Sequence, residues 1–236
     1  MNVMSSLSPI MTIRGHSFHA GLLGHGAVVA DLGAHRGEFG REIGERFGCR
    51  CHLVEALPAL YADMVEGTAR KYNFAIAGSN GPVTLAVQDN LEGSFVAAQT
   101  GSDGISVQGV TLASFMQHAG LERIDLMKVD IEGAEIAMLE SADEAVLSRV
   151  VQMTVEFHDF VPGLVEPRRV EEIKRKMRTL GFYVFKYSGR PNTDVLFINK
   201  RYCRFGWIEY LYLKYPLRYV RGLFRKAGRM GECRES

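Results

Sequence analysis

The chain is predicted to be an α/β protein with a mostly parallel sheet covered by helices on both faces. Three observations carry that reading. Short apolar runs of strand length alternate with segments of helical period. A glycine turn, Asp31-Leu32-Gly33-Ala34-His35-Arg36-Gly37, joins the first strand to the first helix. The apolar run 124–127 ends in Lys128-Val129-Asp130-Ile131-Glu132-Gly133-Ala134-Glu135, a strand-to-helix turn with three carboxylates and a lysine. Carboxyl ends of parallel strands are where open α/β sheets place ligands.

The elements follow in order. Residues 1–26 lack periodicity and read as a lead-in. Residues 27–30 are a short buried strand, and 37–47 a helix with Phe39, Ile43 and Phe47 on one face. Residues 51–54 form a second strand ending at Glu55, followed by a helix with Pro58 in its first turn. Residues 73–77 are a third strand, Gly78-Ser79-Asn80-Gly81 a turn, and 83–87 a further strand. Residues 88–104 are polar and glycine-rich, a length and composition typical of a lid, a binding loop or a disordered segment. Residues 107–110 lead into a helix with Thr111 as N-cap.

Residues 124–129 are the fourth core strand, 134–140 a helix, 150–157 the fifth strand and 171–180 a basic amphipathic helix. The last two strands, 182–185 and 195–198, have too short a connector for a crossover and should pair antiparallel. The domain therefore spans 27–200, with 201–236 as a helical appendage.

The composition, 47% hydrophobic and 23% charged, is that of a globular chain with a full core. A net charge of +1 hides an asymmetry: residues 201–236 carry +6 and the rest −5. Cys49, Cys51, Cys203 and Cys233 show neither zinc-type pairing nor disulfide density, which points to a reducing, cytoplasmic setting. No secretory signal and no spanning segment is read in the sequence. In residues 205–227, Lys214, Arg218, Arg221 and Arg225 form one cationic stripe beside seven aromatics, with Pro216 breaking the segment. Such a stripe suits an anionic membrane surface, placing the protein at the inner membrane face, or packing on the domain or a protein partner. The acidic body argues against nucleic acid.

Three constellations carry chemistry. Asp31, Gly33 and Gly37 form a turn where backbone approaches a ligand and Asp31 adds a carboxylate. The dinucleotide pattern G-x-G-x-x-G is absent, and a carboxylate suits an ammonium better than a pyrophosphate. Glu55 follows Gly37 at the spacing at which an acid receives ribose hydroxyls. Together these suit a nucleoside with a zwitterionic, cationic tail, as in S-adenosylmethionine. Finally Asp130 and Glu132, with Glu156 and His158, are expected at the ends of adjacent strands. They suit a general-base site, a divalent-metal site (Asp130, Glu132, Glu156, His158), or a network that only closes the sheet. Lys128 either faces away from these acids or pairs with one.

These segments resemble the FkbM family of methyltransferases over about residues 27–200. Val28-Val29-Ala30-Asp31-Leu32-Gly33-Ala34-His35-Arg36-Gly37 is similar to its first motif, and Leu53-Val54-Glu55-Ala56-Leu57-Pro58 to its acidic second-strand segment. Residues 125–135 are similar to its signature, and Val155-Glu156-Phe157-His158 to its Glu-x-His. Leu57 departs from the polar residue usual before the proline. The resemblance implies a Rossmann-like class I fold with seven strands, the last antiparallel. It also implies S-adenosylmethionine-dependent O-methylation, commonly of sugar or polyketide hydroxyls. It places Asp31, Gly33 and His35 near the methionine portion, Glu55 at the ribose, and Asn73 and Ala75 near the adenine.

The expected reaction is O-methyl transfer to a glycan, glycolipid or other sugar-containing acceptor. His158 is the expected base and Glu156 its orienting partner, while Asp130 or Glu132 touches substrate, methionine amine or a metal. The alternatives are methylation of a small secondary metabolite, and a cofactor-binding domain without turnover whose tail recruits partners.

Overall fold

The computed structural model describes residues 10–64, 67, 69–86, 95–96, 104–189 and 192–214. Ser8–Cys203 is one compact unit. Its centre is a seven-stranded sheet containing β3 (Val28–Leu32), β4 (Arg50–Val54), β5 (Arg70–Tyr72), β10 (Leu126–Val129), β11 (Gln152–Val155), β12 (Phe182–Lys186) and β13 (Val195–Asn199). The strand order is β12-β13-β11-β10-β3-β4-β5. The five strands from β11 to β5 run parallel, and β13 lies antiparallel to both of its neighbours.

Both faces of the sheet are covered, so its strands read as continuous apolar runs rather than alternating ones. Val28, Ala30 and Leu32 point into the larger core with Met127, Val129 and Phe115, while Val29 and Leu126 face a second core with Phe39 and Ile43. The helices are α1 (Glu38–Phe47), α2 (Pro58–Asp63), α3 (Leu112–His118), α4 (Glu135–Ser141), α5 (Glu144–Leu147) and α6 (Pro167–Thr179). Pro58 opens α2, and Thr111 caps α3 by accepting from the Ser114 amide at 3.2 Å.

Two expectations are corrected. The presumed lead-in contains an antiparallel hairpin, β1 (Ile10–Ile13) and β2 (His16–His19), with every residue of β2 buried. Long-range bonds hold it: Ser17 donates from its amide and hydroxyl to Asp194, and the His19 backbone exchanges two bonds with the Gln152 side chain. The main sheet's third strand lies before the expected 73–77, as β5, and within 73–77 only β6 (Ala75–Ile76) forms, in another sheet. Asn73 sits at the break and donates to the carbonyls of Glu55 and Ala56 rather than to a ladder.

The segment 107–110 leads into α3 through Thr111 as expected, and it is the end of a seven-residue strand. It lies in a second sheet of order β6-β9-β7-β8, formed with β7 (Gly81–Ala86), β8 (Phe95–Val96) and β9 (Gly104–Val110). Most of the loop expected at 88–104 lies outside the described residues.

The C-terminal unit is described by one helix, α7 (Trp207–Lys214), on which Trp207 and Ile208 are 74% and 62% exposed. The cationic positions beyond Lys214 lie outside the described residues. No described helix is long and apolar enough to cross a membrane.

Candidate active site

At the carboxyl edge of β3, β4 and β10 lies a cavity of about 470 Å³, lined by Gly33, His35, Glu55, Lys128, Asp130 and Glu132 among others. The β3–α1 turn reaches it through two left-handed residues, Gly33 (φ 77°) and His35 (φ 52°). Glycine is required at 33 for a second reason. A Cβ there would stand 1.7 Å from the Asp130 carbonyl oxygen, so this turn and the end of β10 cross almost in contact.

Glu55 forms the wall beyond β4. Its Oε2 accepts from the His35 amide and its Oε1 from the Leu57 amide, both at 2.8 Å. Each oxygen keeps a further lone pair, which fits vicinal hydroxyls. Burial pushes its pKa up, against those two amide bonds. Leu57, Leu60, Phe74, Ile76 and Leu85 line the cavity beside it and give an apolar slot. Ala75 lines that slot as expected, whereas the Asn73 side chain is turned to the Glu55 and Ala56 carbonyls. His35 Nε2 is buried without a hydrogen-bond partner. A hydroxyl-bearing nucleoside with a planar base and a charged tail matches this wall, so the residues present fit S-adenosylmethionine.

Asp31 and Gly37 are placed differently from expectation, for neither lines the cavity. Gly37 (φ 77°) is the N-cap of α1. Asp31 is fully buried and paired across the ladder with Lys128, whose Nζ lies 3.4 Å from Asp31 Oδ1 and 3.3 Å from Asp130 Oδ2. The same ammonium donates to the Gly33 carbonyl at 2.6 Å. Lys128 thus pairs with the acids. Burial alone would lower its pKa, but Asp31 and Asp130 outweigh that and leave it raised. Asp130 is held well below the usual carboxylate range: burial opposes this, and Lys128 prevails.

Beyond β10, Glu132 is left-handed (φ 51°) and turns its carboxylate to His158 Nε2 at 3.1 Å, with Asp130 Oδ1 at 3.6 Å. The other ring nitrogen, Nδ1, lies 3.0 Å from Oε1 of the fully buried Glu135. Glu135 also accepts from the amides of Ile131 and Gly133, which fixes the whole turn. Burial would depress the His158 pKa, yet Glu132 and Glu135 push it up to about 11.

One expectation changes here. The carboxylate at the second ring nitrogen of His158 is that of Glu135, not Glu156, and the acids around the ring favour its protonated form. Glu156 lies on the other flank of Asp130, grouped with His16 of β2. Burial, reinforced by Asp130, pushes its pKa up. His16 was not singled out from sequence, since only the hairpin's long-range bonds carry it to the cavity wall.

Comparison with known proteins follows this geometry. Residues 31–184 match the family described as the methyltransferase FkbM domain. A curated relative, the AMB antimetabolite synthetase AmbE of Pseudomonas aeruginosa, is 40% identical over 65 residues. That stretch covers 28% of this chain and 3% of the synthetase, so the chain spans a small part of that protein.

Among solved structures, an rRNA methylase from Streptococcus thermophilus has a TM-score of 0.45 at 12% identity, covering 76% of this chain and 90% of that one. A TehB-like S-adenosylmethionine-dependent methyltransferase from Corynebacterium glutamicum gives 0.42 at 13%, covering 76% and 84%. A third, from Geobacter sulfurreducens with S-adenosylhomocysteine, gives 0.37 at 13%, covering 71% and 61%. All three scores lie below 0.5.

Proposed function

The chain belongs to the FkbM methyltransferase family, and from that premise we propose that it transfers a methyl group from S-adenosylmethionine to a hydroxyl of a glycan, glycolipid or related sugar-containing acceptor. The observation that carries the reading is the meeting, in one cavity, of a nucleoside-shaped wall at Glu55 and an acid-rich floor at Asp130 and Glu132. Their carboxylate side chains are 26% and 34% exposed, enough to accept hydrogen bonds from a polyol.

The bound sulfonium supplies a methyl group that is already electrophilic. What remains for the protein is alignment of the acceptor oxygen with that methyl group. Glu55 receives the ribose hydroxyls, and the Gly33 turn lets the backbone approach the amino-acid end. Lys128 fixes Asp130, and Asp130 with Glu132 receives the acceptor. His158 holds these two acids together, and they in turn favour its protonated form.

Calorimetry with S-adenosylmethionine tests the first half. Wild type should bind, and Glu55→Gln should bind at least ~10-fold more weakly, one charge-assisted bond being worth about 1.5–3 kcal/mol. Transfer of labelled methyl to glycans and glycolipids tests the second half. Absence of cofactor binding sinks the reading, and transfer confined to a nitrogen or carbon acceptor sinks its O-methyl part.

A second reading concerns residues 205–227, which dock the protein on an anionic membrane surface. It is favoured by Trp207, Ile208 and Leu211, apolar side chains exposed by 43% or more near the start of the region 201–236, which carries +6. Sedimentation with phosphatidylserine vesicles should fall when Trp207→Ala, Ile208→Ser and Leu211→Ser are combined. Unchanged sedimentation would count against it.

A further inference from the structure

We propose that His16, Asp130 and Glu156 form a divalent-cation site on the acceptor side of the cavity. One donor atom from each of the three residues lies within 4.8 Å of the others, the spread that a single ion can span. The donors come from three separate elements: the N-terminal hairpin, the end of β10 and the end of β11. Their convergence therefore depends on the fold and not on one loop.

His16 is the observation that points to a ligand. Its residue is 2% exposed, its Nδ1 has no hydrogen-bond partner, and its Nε2 faces Asp130 Oδ2 at 3.7 Å, beyond a normal hydrogen bond. Phe39 packs edge-on against the ring at 5.8 Å and fixes its direction. A buried imidazole aimed at a carboxylate without closing a bond leaves its polar edge under-used.

The neighbouring trio, Asp130, Glu132 and His158, also has metal-like spacing, but there both ring nitrogens of His158 already have carboxylate partners within 3.1 Å, Glu132 and Glu135. On the Glu156 flank, His16 Nδ1 has no partner and its Nε2 stands 3.7 Å from Asp130. Lys128 reaches Asp130 Oδ2, but its charge is shared with the buried Asp31. Asp31, Asp130, Glu132, Glu135 and Glu156 outnumber Lys128, His16 and His158 at this edge. One imidazole and two carboxylates suit a borderline ion such as Mn²⁺ or Zn²⁺. Partial exposure of Asp130 and Glu156 gives the ion its path in.

The role proposed for the ion is activation of the acceptor hydroxyl. Coordinated to the acceptor hydroxyl, it lowers that hydroxyl's pKa so that its proton passes to solvent or a carboxylate. The oxygen lone pair then forms the O–CH₃ bond as the C–S bond breaks, its electron pair staying on sulfur. The role at the acceptor rests on the methyltransferase reading; the site itself does not.

The test is binding of Mn²⁺ to the full chain without cofactor or acceptor, followed by electron paramagnetic resonance and by calorimetry with Mn²⁺ and Zn²⁺. One equivalent should bind, with ¹⁴N coupling from the His16 ring. Loss of an outer-sphere partner already costs ~10–100-fold in affinity, so His16→Ala and Glu156→Gln should each cost at least ~10-fold. Loss of ¹⁴N coupling should accompany His16→Ala, and Glu156→Gln, nearly isosteric, guards against a folding artefact. No ion binding by wild type overturns the proposal. So does binding that survives His16→Ala but is lost in His158→Gln, which would move the ion to the other trio. Cofactor binding without ion binding defeats this inference alone, and ion binding without cofactor binding defeats the methyltransferase reading alone.

Discussion

His158 Nδ1 lies 3.0 Å from Oε1 of Glu135, and Glu135 is completely buried while accepting from the amides of Ile131 and Gly133. One carboxylate thereby shapes the turn that presents Asp130 and Glu132 and also charges the ring that restrains them.

Replacing Glu135 by Ala orphans two part-buried amides and the Nδ1 of the buried His158 ring at once. The loss should be about 3–5 kcal/mol, the range for removing one partner of a buried charged pair. Glu135→Gln keeps one acceptor oxygen and should cost less, about 1–3 kcal/mol. Urea unfolding of the three proteins measures both. An alanine variant as stable as wild type would mean that the turn holds itself.

Lys128 and Asp31 form a buried pair at matched ladder positions. Lys128→Met leaves Asp31 without its cation and should destabilise by about 3–5 kcal/mol. Asp31→Asn alone should also destabilise, through the Lys128 charge and the bond from the Gly40 amide. The double variant should cost clearly less than the two single losses added together, because the second change removes the charge that the first left stranded. Additive losses in urea would show that the two charges act independently.

Gly33→Ala must either displace the Asp130 carbonyl or unwind the β3–α1 turn, since its Cβ would fall 1.7 Å from that oxygen at φ 77°. A loss of about 3 kcal/mol or more is expected, together with loss of S-adenosylmethionine binding. Gly24→Ala is the control, having nothing within 4 Å of its added Cβ. Similar melting temperatures for the two variants would refute the crossing contact.

Much of this was legible because both faces of the sheet are covered, which makes residues 28–32 and 126–129 apolar apart from Asp31 and Lys128. Thr111 was legible because a cap is a local bond. Glu55 was legible by its spacing from the glycine turn. His16 was not, since its place depends on Ser17 meeting Asp194, 177 residues away. Glu135 read as an ordinary first-turn acid of α4, and only the folded turn brings it to His158. The break at Asn73 was hidden because a side chain bonding to the carbonyls of Glu55 and Ala56 leaves no trace in an apolar pattern.

The same long-range packing sets a pH response away from the active site. His52 on β4 is buried, stacks on Tyr72 at 5.8 Å, and has Nδ1 2.9 Å from the Tyr72 hydroxyl. Burial pushes its pKa down to about 4, with Arg70 and Arg50 adding to the effect. In the unfolded chain the same ring titrates near 6.5. Between these values the unfolded state binds the proton and the folded state does not, so stability falls as pH drops from 6.5 towards 4 and this contribution is level outside that window. His52→Gln, which keeps a polar group beside Tyr72, removes the titration. The stability difference between wild type and variant should therefore shift against wild type by about 1–3 kcal/mol over that window, at about 1.4 kcal/mol per pKa unit and reduced by partial hydration. Urea unfolding at pH 7, 5.5 and 4.5 reads it. Parallel stability curves for the two proteins would show that His52 is protonated alike in both states, contrary to its burial.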